Sequence, residues 1–499
     1  MLQRLRRLRV LLGGAALAAL PLLATAAEDG LPTPWPAGAS PADSQLAALV
    51  DDALGLLALE RFEEFREAKE KGEDSGHSTA FQEDIDAGRY DVDELFALGD
   101  AVFGHEFRAA DGYGDVQAVL PGRRIHDRSR GALDTFSCAG CHSVGGPNGA
   151  GAATQNAYLF GDGSHQSSTV IRNSPPVLGL GMVQALAREM SLELQRARDA
   201  ALEQAASTGT AVAVRLESKG IDFGVLTARA NGSVDASELD GIDADLVVKP
   251  FGWKGQFPDL RRAIEDAARV HFGIQSGPQT TLHRDGPMPE LLGDGPDWWD
   301  PDTDGVQWEL EEGSLTATAV YLATLEVPTI VPPSSAALRD RWAHGDALFD
   351  DIGCADCHTR SLGLVSTLWN EEPDTTGADP FVIALFHDGE EPKGTPKVNL
   401  FSDLKRHDMG PELADPHTDT DHPNIDAETW LTRPLWGLAE SPPYLHDGRA
   451  ATIPAAIVAH GGDAQDSAGR FAALSPSDQA DLHVFLLSLS RTPKLRAPL

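Results

Sequence analysis

The feature that most constrains this chain is a five-residue pattern that occurs twice. Cys138-Ala139-Gly140-Cys141-His142 lies within FSCAGCHSV, and Cys354-Ala355-Asp356-Cys357-His358 lies within DIGCADCHT. The 499 residues include only four cysteines, and the two units use all of them, leaving none for a structural disulfide. A Cys-x-x-Cys pair can be a redox dithiol, half of a zinc site or a haem attachment point. A dithiol does not need a following histidine, and a zinc site would have to unite pairs at 138–141 and 354–357. A c-type haem uses every part, since both thiols become thioethers to the porphyrin and the adjacent imidazole becomes the proximal iron ligand. The sequence thus predicts two covalent haem c groups, one on Cys138, Cys141 and His142, the other on Cys354, Cys357 and His358.

The N-terminus bears on the compartment. MLQRLRRLRVLLGGAALAALPLLATAAEDG sets four arginines before an apolar run that closes with Ala24-Thr25-Ala26, the layout of a signal peptide over residues 1–26. The run is short and rich in Gly and Ala for a membrane span, and a retained anchor is the alternative. No later segment is long and apolar enough to span, so the expectation is a periplasmic protein that is not integral to the membrane. Without Arg4, Arg6, Arg7 and Arg9, 36 basic side chains face 76 acidic ones, a formal charge of −40. That balance argues against nucleic acid and anionic membrane as partners. It reads as a solvated surface or as a docking field for a basic electron-transfer protein.

Helical spacing in LAALVDDALGLLALERFEEF and DVDELFALGDAVFGHEF leads toward the first motif, and LRDRWAHGDALFDDIGCADCHT repeats the arrangement at the second. Each unit closes with an apolar helix, SLTATAVYLATL at 314–325 and SDQADLHVFLLSL at 477–489. The predicted fold is mainly α, with two cytochrome c-like domains, each holding one covalent haem, and loop-rich connections. A helical leader covers 27–94, the first haem domain 95–326, a proline-rich linker 327–337 and the second haem domain 338–499. A small α/β insertion at about 187–248 holds a charged helix, LAREMSLELQRARDAALEQAA, and a strand pair around TAVAVRL.

The runs CAGCHSVGGPNGAG…IRNSPPVLGLGMVQAL, FGWKGQFPDLRRAIEDA, CADCHT, FSDLKRHDMGPELAD and TWLTRPLWGLAESPPYLHDGRAATIPAAIVAHGG resemble the di-haem oxidoreductase (putative peroxidase) family. That family is similar to the bacterial di-haem cytochrome c peroxidases and to the tryptophan-modifying di-haem enzymes of methylamine utilisation. The resemblance spans about 95–490. It implies an enzyme whose N-terminal haem meets the oxidant while the C-terminal haem transfers electrons. Hydrogen peroxide is the implied substrate, and a small redox protein of cytochrome c or cupredoxin type exchanges electrons with it.

In the relatives, a motif like PYLHDGRAATIPAAIVAHGG carries the distal ligand of the C-terminal haem. Counting from His446 lands on His460, where the relatives have methionine or tyrosine. The alternative for His460 is a helix-terminal residue before Gly461-Gly462. The resemblance likewise implies His165 as a resting-state cap of the N-terminal iron, the alternative being an ordinary polar turn, and Trp253 as an aromatic relay or a wedge between domains. The relatives carry a catalytic glutamate where this chain has WKGQ at 253–256 followed by ARVHFGI, leaving His271 or Glu265 as candidate substitutes. His446 is read as shaping the turn beside the second haem, His407 and Met409 as further ligand candidates, and His105 and His126 as surface or loop residues. DPDTDGVQWELE fits a calcium loop with Asp300, Asp302, Asp304 and Glu311 as Ca2+ ligands, or else is an acidic turn. Two rival functions stay open: a non-enzymatic di-haem electron carrier, and an enzyme that oxidises a protein or organic substrate through Trp253.

Overall fold

The computed structural model describes residues 79–114, 135–142, 156–159, 169–276, 306, 309–371, 380–385, 396–416 and 425–490. The signal segment, most of the leader, His126, His165, Asp300, Asp302 and Asp304 lie outside the described residues.

Most of the longer helices start where the sequence supplies an oxygen for the first free N–H groups. Helix α1 (Val92–Gly104) opens with a reciprocal pair: Glu94 N donates to Asp91 at 2.8 Å, and Asp91 N donates to Glu94 at 2.9 Å. Next come α2 (Leu180–Thr208), α3 (Leu260–Phe272), capped by Asp259, and α4 (Glu312–Thr324). Ser335 caps α5 (Ala336–Asp351) and Thr452 caps α6 (Ile453–Val458). Helix α7 (Gln465–Ala473) precedes α8 (Pro476–Leu486), which combines a Ser475 cap with proline in its first turn. Each side-chain cap contributes about 1 kcal/mol.

Helix α4 is buried from Gly313 to Ala323, as an all-round apolar helix of small residues must be. Helix α1 crosses it so closely that a Cβ on Gly99 would lie 2.1 Å from the Ala317 carbonyl oxygen. Helix α5 crosses α8 in the same manner, with a Cβ on Gly345 falling 2.0 Å from the Asp481 carbonyl oxygen. The two contact glycines sit in matching strings, Gly99-Asp100-Ala101-Val102-Phe103 and Gly345-Asp346-Ala347-Leu348-Phe349. Each haem motif is therefore preceded by a helix locked by glycine onto the closing helix of its unit.

The strands are short. Strand β1 (Asn156–Leu159) pairs antiparallel with β2 (Val170–Asn173). The insertion is the long helix α2 with three antiparallel strands, β3 (Val212–Ser218), β4 (Ile221–Ala228) and β5 (Val234–Leu239), one strand more than the expected pair. The third had been masked by its polar alternation, VDASEL, which leaves it half exposed or more along its length. Within the linker, Thr329–Ile330 pairs with Leu489–Ser490 at the end of the second unit.

Two main cores result. The larger joins α1, α2, α4 and the insertion sheet, and it also takes in Leu362, Leu364, Trp369, Ile383, Val398, Leu400 and Trp436 from beyond the second motif. The other gathers Phe349, Phe401, Ile453, Phe471, Leu482 and Phe485 around the second motif. No helix among the described residues is long and apolar enough to cross a membrane.

Candidate functional site

Each Cys-x-x-Cys-His unit opens into its own apolar cavity. The first, of about 280 Å³, is lined by Cys138, Cys141 and His142 with Phe103, Phe107, Leu180, Phe257, Leu260 and Phe272. Cys138–Cys141 form one helical turn that Ser137 caps. The segment IRNSPP holds this turn from the side: Ser174 Oγ donates to the Cys141 carbonyl at 2.6 Å, and His142 Nδ1 donates to the Pro175 carbonyl at 2.9 Å. With Nδ1 committed, Nε2 is the nitrogen left for iron. Burial lowers the pKa of His142 to about 4, and His271 and Arg433 push in the same direction against the Pro175 bond, so the ring is neutral at physiological pH.

The second cavity, of about 310 Å³, repeats the design with different residues. Asp403 N donates to the Cys357 carbonyl at 3.0 Å, and His358 Nδ1 donates to the Phe401 carbonyl at 3.1 Å. Phe401 adopts φ +56, a conformation unfavourable for its side chain that aims this carbonyl at the histidine. Burial and then the nearby His460 lower His358 to about 4. His460 follows α6, is itself lowered by burial, and its Nδ1 donates to the Ala456 carbonyl at 2.7 Å, which leaves Nε2 available. The helix-terminal bond and the ligand reading are thus compatible, because the bond orients the ring.

All four cysteines are free of disulfides, and burial raises Cys138 and Cys354 to about 12 as thiols. Paired thiols in apolar cavities, each beside a neutral imidazole with one committed nitrogen, fit covalent haem at both places.

Trp253 and Arg433 line both cavities, and so does Asn173. The tight turn between Phe251 and Phe257 presses the WKGQ residues into the junction. Trp253 Nε1 donates to the Asn173 carbonyl at 2.7 Å, and the Arg433 guanidinium lies 5.5 Å from the centre of its ring. Lys254 is fully buried, 3.3 Å from Asp415, with its Nζ 3.8 Å above the Trp430 ring. His446 stacks on Trp430 at 3.8 Å, so the indole is sandwiched between an imidazole and an ammonium. Arg172 completes the cluster with two 2.8 Å bonds to Asp415. The HDG loop is tied to the first unit as well, since Asn173 N donates to the His446 carbonyl at 2.6 Å.

Among the expected site residues, the structure brings Trp253 to both cavities and His446, His460 and Met409 to the second. Of the two glutamate substitutes, His271 lines the first cavity and Glu265 does not, bonding Ser276 at 2.8 Å instead. Gln256 and Asp266 also line the first cavity, and Asp266 pairs with Arg269 at 2.6 Å. His407 also lines the second cavity, bonded to Asp403 at 2.8 Å; burial lowers its pKa, but Asp403 and Cys357 outweigh that and raise the value to about 10. His105 has a partner that the sequence hid, Asp111 at 3.1 Å. Glu311 is buried at the start of α4, while the other three residues of the acidic loop lie outside the described part. Arg433, Lys254 and Asp415 were missed. The only available signal was their position inside WKGQ, TRPLWG and PELAD, runs already marked by the resemblance.

No curated protein matches the sequence. Among solved structures, the chain is similar to hydrazine synthase of Kuenenia stuttgartiensis, pressurised with xenon: 18% identity and TM-score 0.24, over 40% of this chain and 65% of that one. It is also similar to a MauG-like protein associated with microbial copper homeostasis: 15% identity and TM-score 0.26, over 53% of this chain and 79% of that one. Residues 311–489, less than half of the chain, match the family model described as "Di-haem oxidoreductase, putative peroxidase"; the match includes the second Cys-x-x-Cys-His unit and not the first.

Proposed function

We propose that the protein is an exported di-haem c-type oxidoreductase of peroxidase type, in which the N-terminal haem meets the oxidant and the C-terminal haem holds and passes electrons. The observation that carries this reading is the contrast between the cavities. Both cavities hold a second imidazole that acts electrostatically on the first, but in the second cavity His358 and His460 are each oriented by an Nδ1 bond to a backbone carbonyl, which leaves Nε2 of both for iron. The first contains an anchored His142 together with groups suited to proton movement, His271, Asp266 and Gln256. Bound haem supplies the one-electron iron chemistry, and reduction of a peroxide to water consumes two electrons and two protons. The chain's part is to hold His142 and His358 as neutral ligands and to cap the second iron with His460. His271 holds and delivers a proton to the peroxide oxygen, and Trp253 bridges the two cavities. A small redox protein of cytochrome c or cupredoxin type is the proposed electron donor.

A second reading is favoured by the same His271. An imidazole in the first cavity can close the first iron, which would make the protein an electron carrier. Quantitative electron paramagnetic resonance of the ferric holoprotein separates the two. One high-spin and one low-spin centre are expected, with peroxide turnover that falls about 10²–10⁴-fold in His271→Ala at unchanged haem content. Two low-spin centres that persist on half-reduction, without turnover, would leave the carrier.

A further inference from the structure

Arg433, which lines both cavities, has no counter-charge among the described residues. Its backbone is pinned on the N-terminal side, where Leu431 N donates to the Trp253 carbonyl at 3.1 Å and Thr432 N to the Lys405 carbonyl at 3.0 Å. The side chain reaches a place that lines both cavities. Among the described residues its side chain makes only long hydrogen bonds from Nη1, 3.5 Å to the Pro250 carbonyl and 3.4 Å to the Gly252 carbonyl. Arg172, the other arginine of the first cavity, is neutralised by Asp415 at 2.8 Å, whereas Arg433 has no carboxylate partner among the described residues. Burial is the sole influence on its pKa, which falls to about 10 and leaves it charged at neutral pH. The guanidinium is half-buried where it faces the two cavities, a haem in either would take it further from water, and its planar fork is built for carboxylates. The missing anions have an obvious chemical class, because each haem brings two propionate carboxylates into its cavity.

We propose that Arg433 is the shared counter-ion of both haems, donating to a carboxylate of each and so linking their reduction potentials. The inference rests on the di-haem reading but not on the peroxidase reading. Arg433 acts here as a positioning residue: it touches the haem periphery, and its positive charge favours the reduced state of both irons.

The test uses full-length holoprotein, with covalent haem counted by pyridine haemochrome and both midpoints taken by spectroelectrochemical titration. In Arg433→Gln both midpoints should fall, lowering the reduced-to-oxidised ratio at a fixed potential on the order of tenfold for each haem, the scale of one unit charge acting across a haem in a protein interior. Arg433→Lys retains the charge and should keep both midpoints near wild type, and it stands in if the glutamine protein does not fold. Two attached haems with unmoved midpoints in the glutamine variant, or movement of one alone, would overturn the proposal. So would a lysine variant whose midpoints drop fully. A wild-type protein without covalent haem would remove the di-haem reading and this inference together.

Discussion

Asp415 faces two cations, the fully buried Lys254 at 3.3 Å and the largely buried Arg172 through a two-pronged contact at 2.8 Å. Replacing it with asparagine leaves both charges buried, and Asp415→Asn should cost about 3–5 kcal/mol in denaturant unfolding of the holoprotein. Burial pushes the Asp415 pKa up, but the Arg172 hydrogen bond and the nearby charges outweigh it and hold the carboxyl below its ordinary range. Its folded value thus lies under the unfolded value of about 3.9. The contribution is complete above the unfolded value and is lost as pH falls through the folded one. The stability gap between wild type and Asp415→Asn should therefore be flat above about pH 5 and shrink below it. At this scale the sequence was legible where chemistry is local. A Cys-x-x-Cys-His run is visible within five residues, while Arg172 and Asp415, 243 positions apart, carry no mark of their pairing.

Among the elements, α1 and α5 could be placed from apolar spacing, and α4 and α8 from their apolar composition. What spacing could not show is how closely they pack. Gly99 and Gly345 stand in helix interiors, where alanine is ordinarily favoured by about 1 kcal/mol. Here a methyl group would collide with a backbone carbonyl at 2.1 Å and 2.0 Å respectively, and neither helix can yield without moving its haem motif. Gly99→Ala and Gly345→Ala should each lower stability by about 1–3 kcal/mol. Gly469, exposed within α7 with nothing within 4 Å of an added Cβ, provides the control. Its alanine variant should be more stable by up to about 1 kcal/mol, so thermal melts of the three proteins should differ in sign. Strand β5 escaped the sequence reading for the converse reason: it forms by pairing with β4 rather than by burying a face of its own.

Taken whole, the chain has a formal charge of −36. A field of that sign draws a basic donor and repels an acidic one, and salt screens it with a Debye length of about 10 Å at 0.1 M. Peroxide-dependent oxidation of a basic small cytochrome should slow steeply as ionic strength rises, and an acidic donor should be slow throughout. Rates independent of salt would show that docking does not use this field. The repeated motifs suggest two successive units, but they say nothing of how the units interlock. Arg433 lines the first cavity, the HDG loop binds Asn173, and residues from Leu362 to Trp436 fill the larger core. This interlocking bears on how the protein is made. A chain synthesised from its N-terminus contains Cys138 and Cys141 long before residue 433 exists. The first cavity therefore cannot close until the segment after the second Cys-x-x-Cys-His unit has been made, because Arg433 is part of its wall.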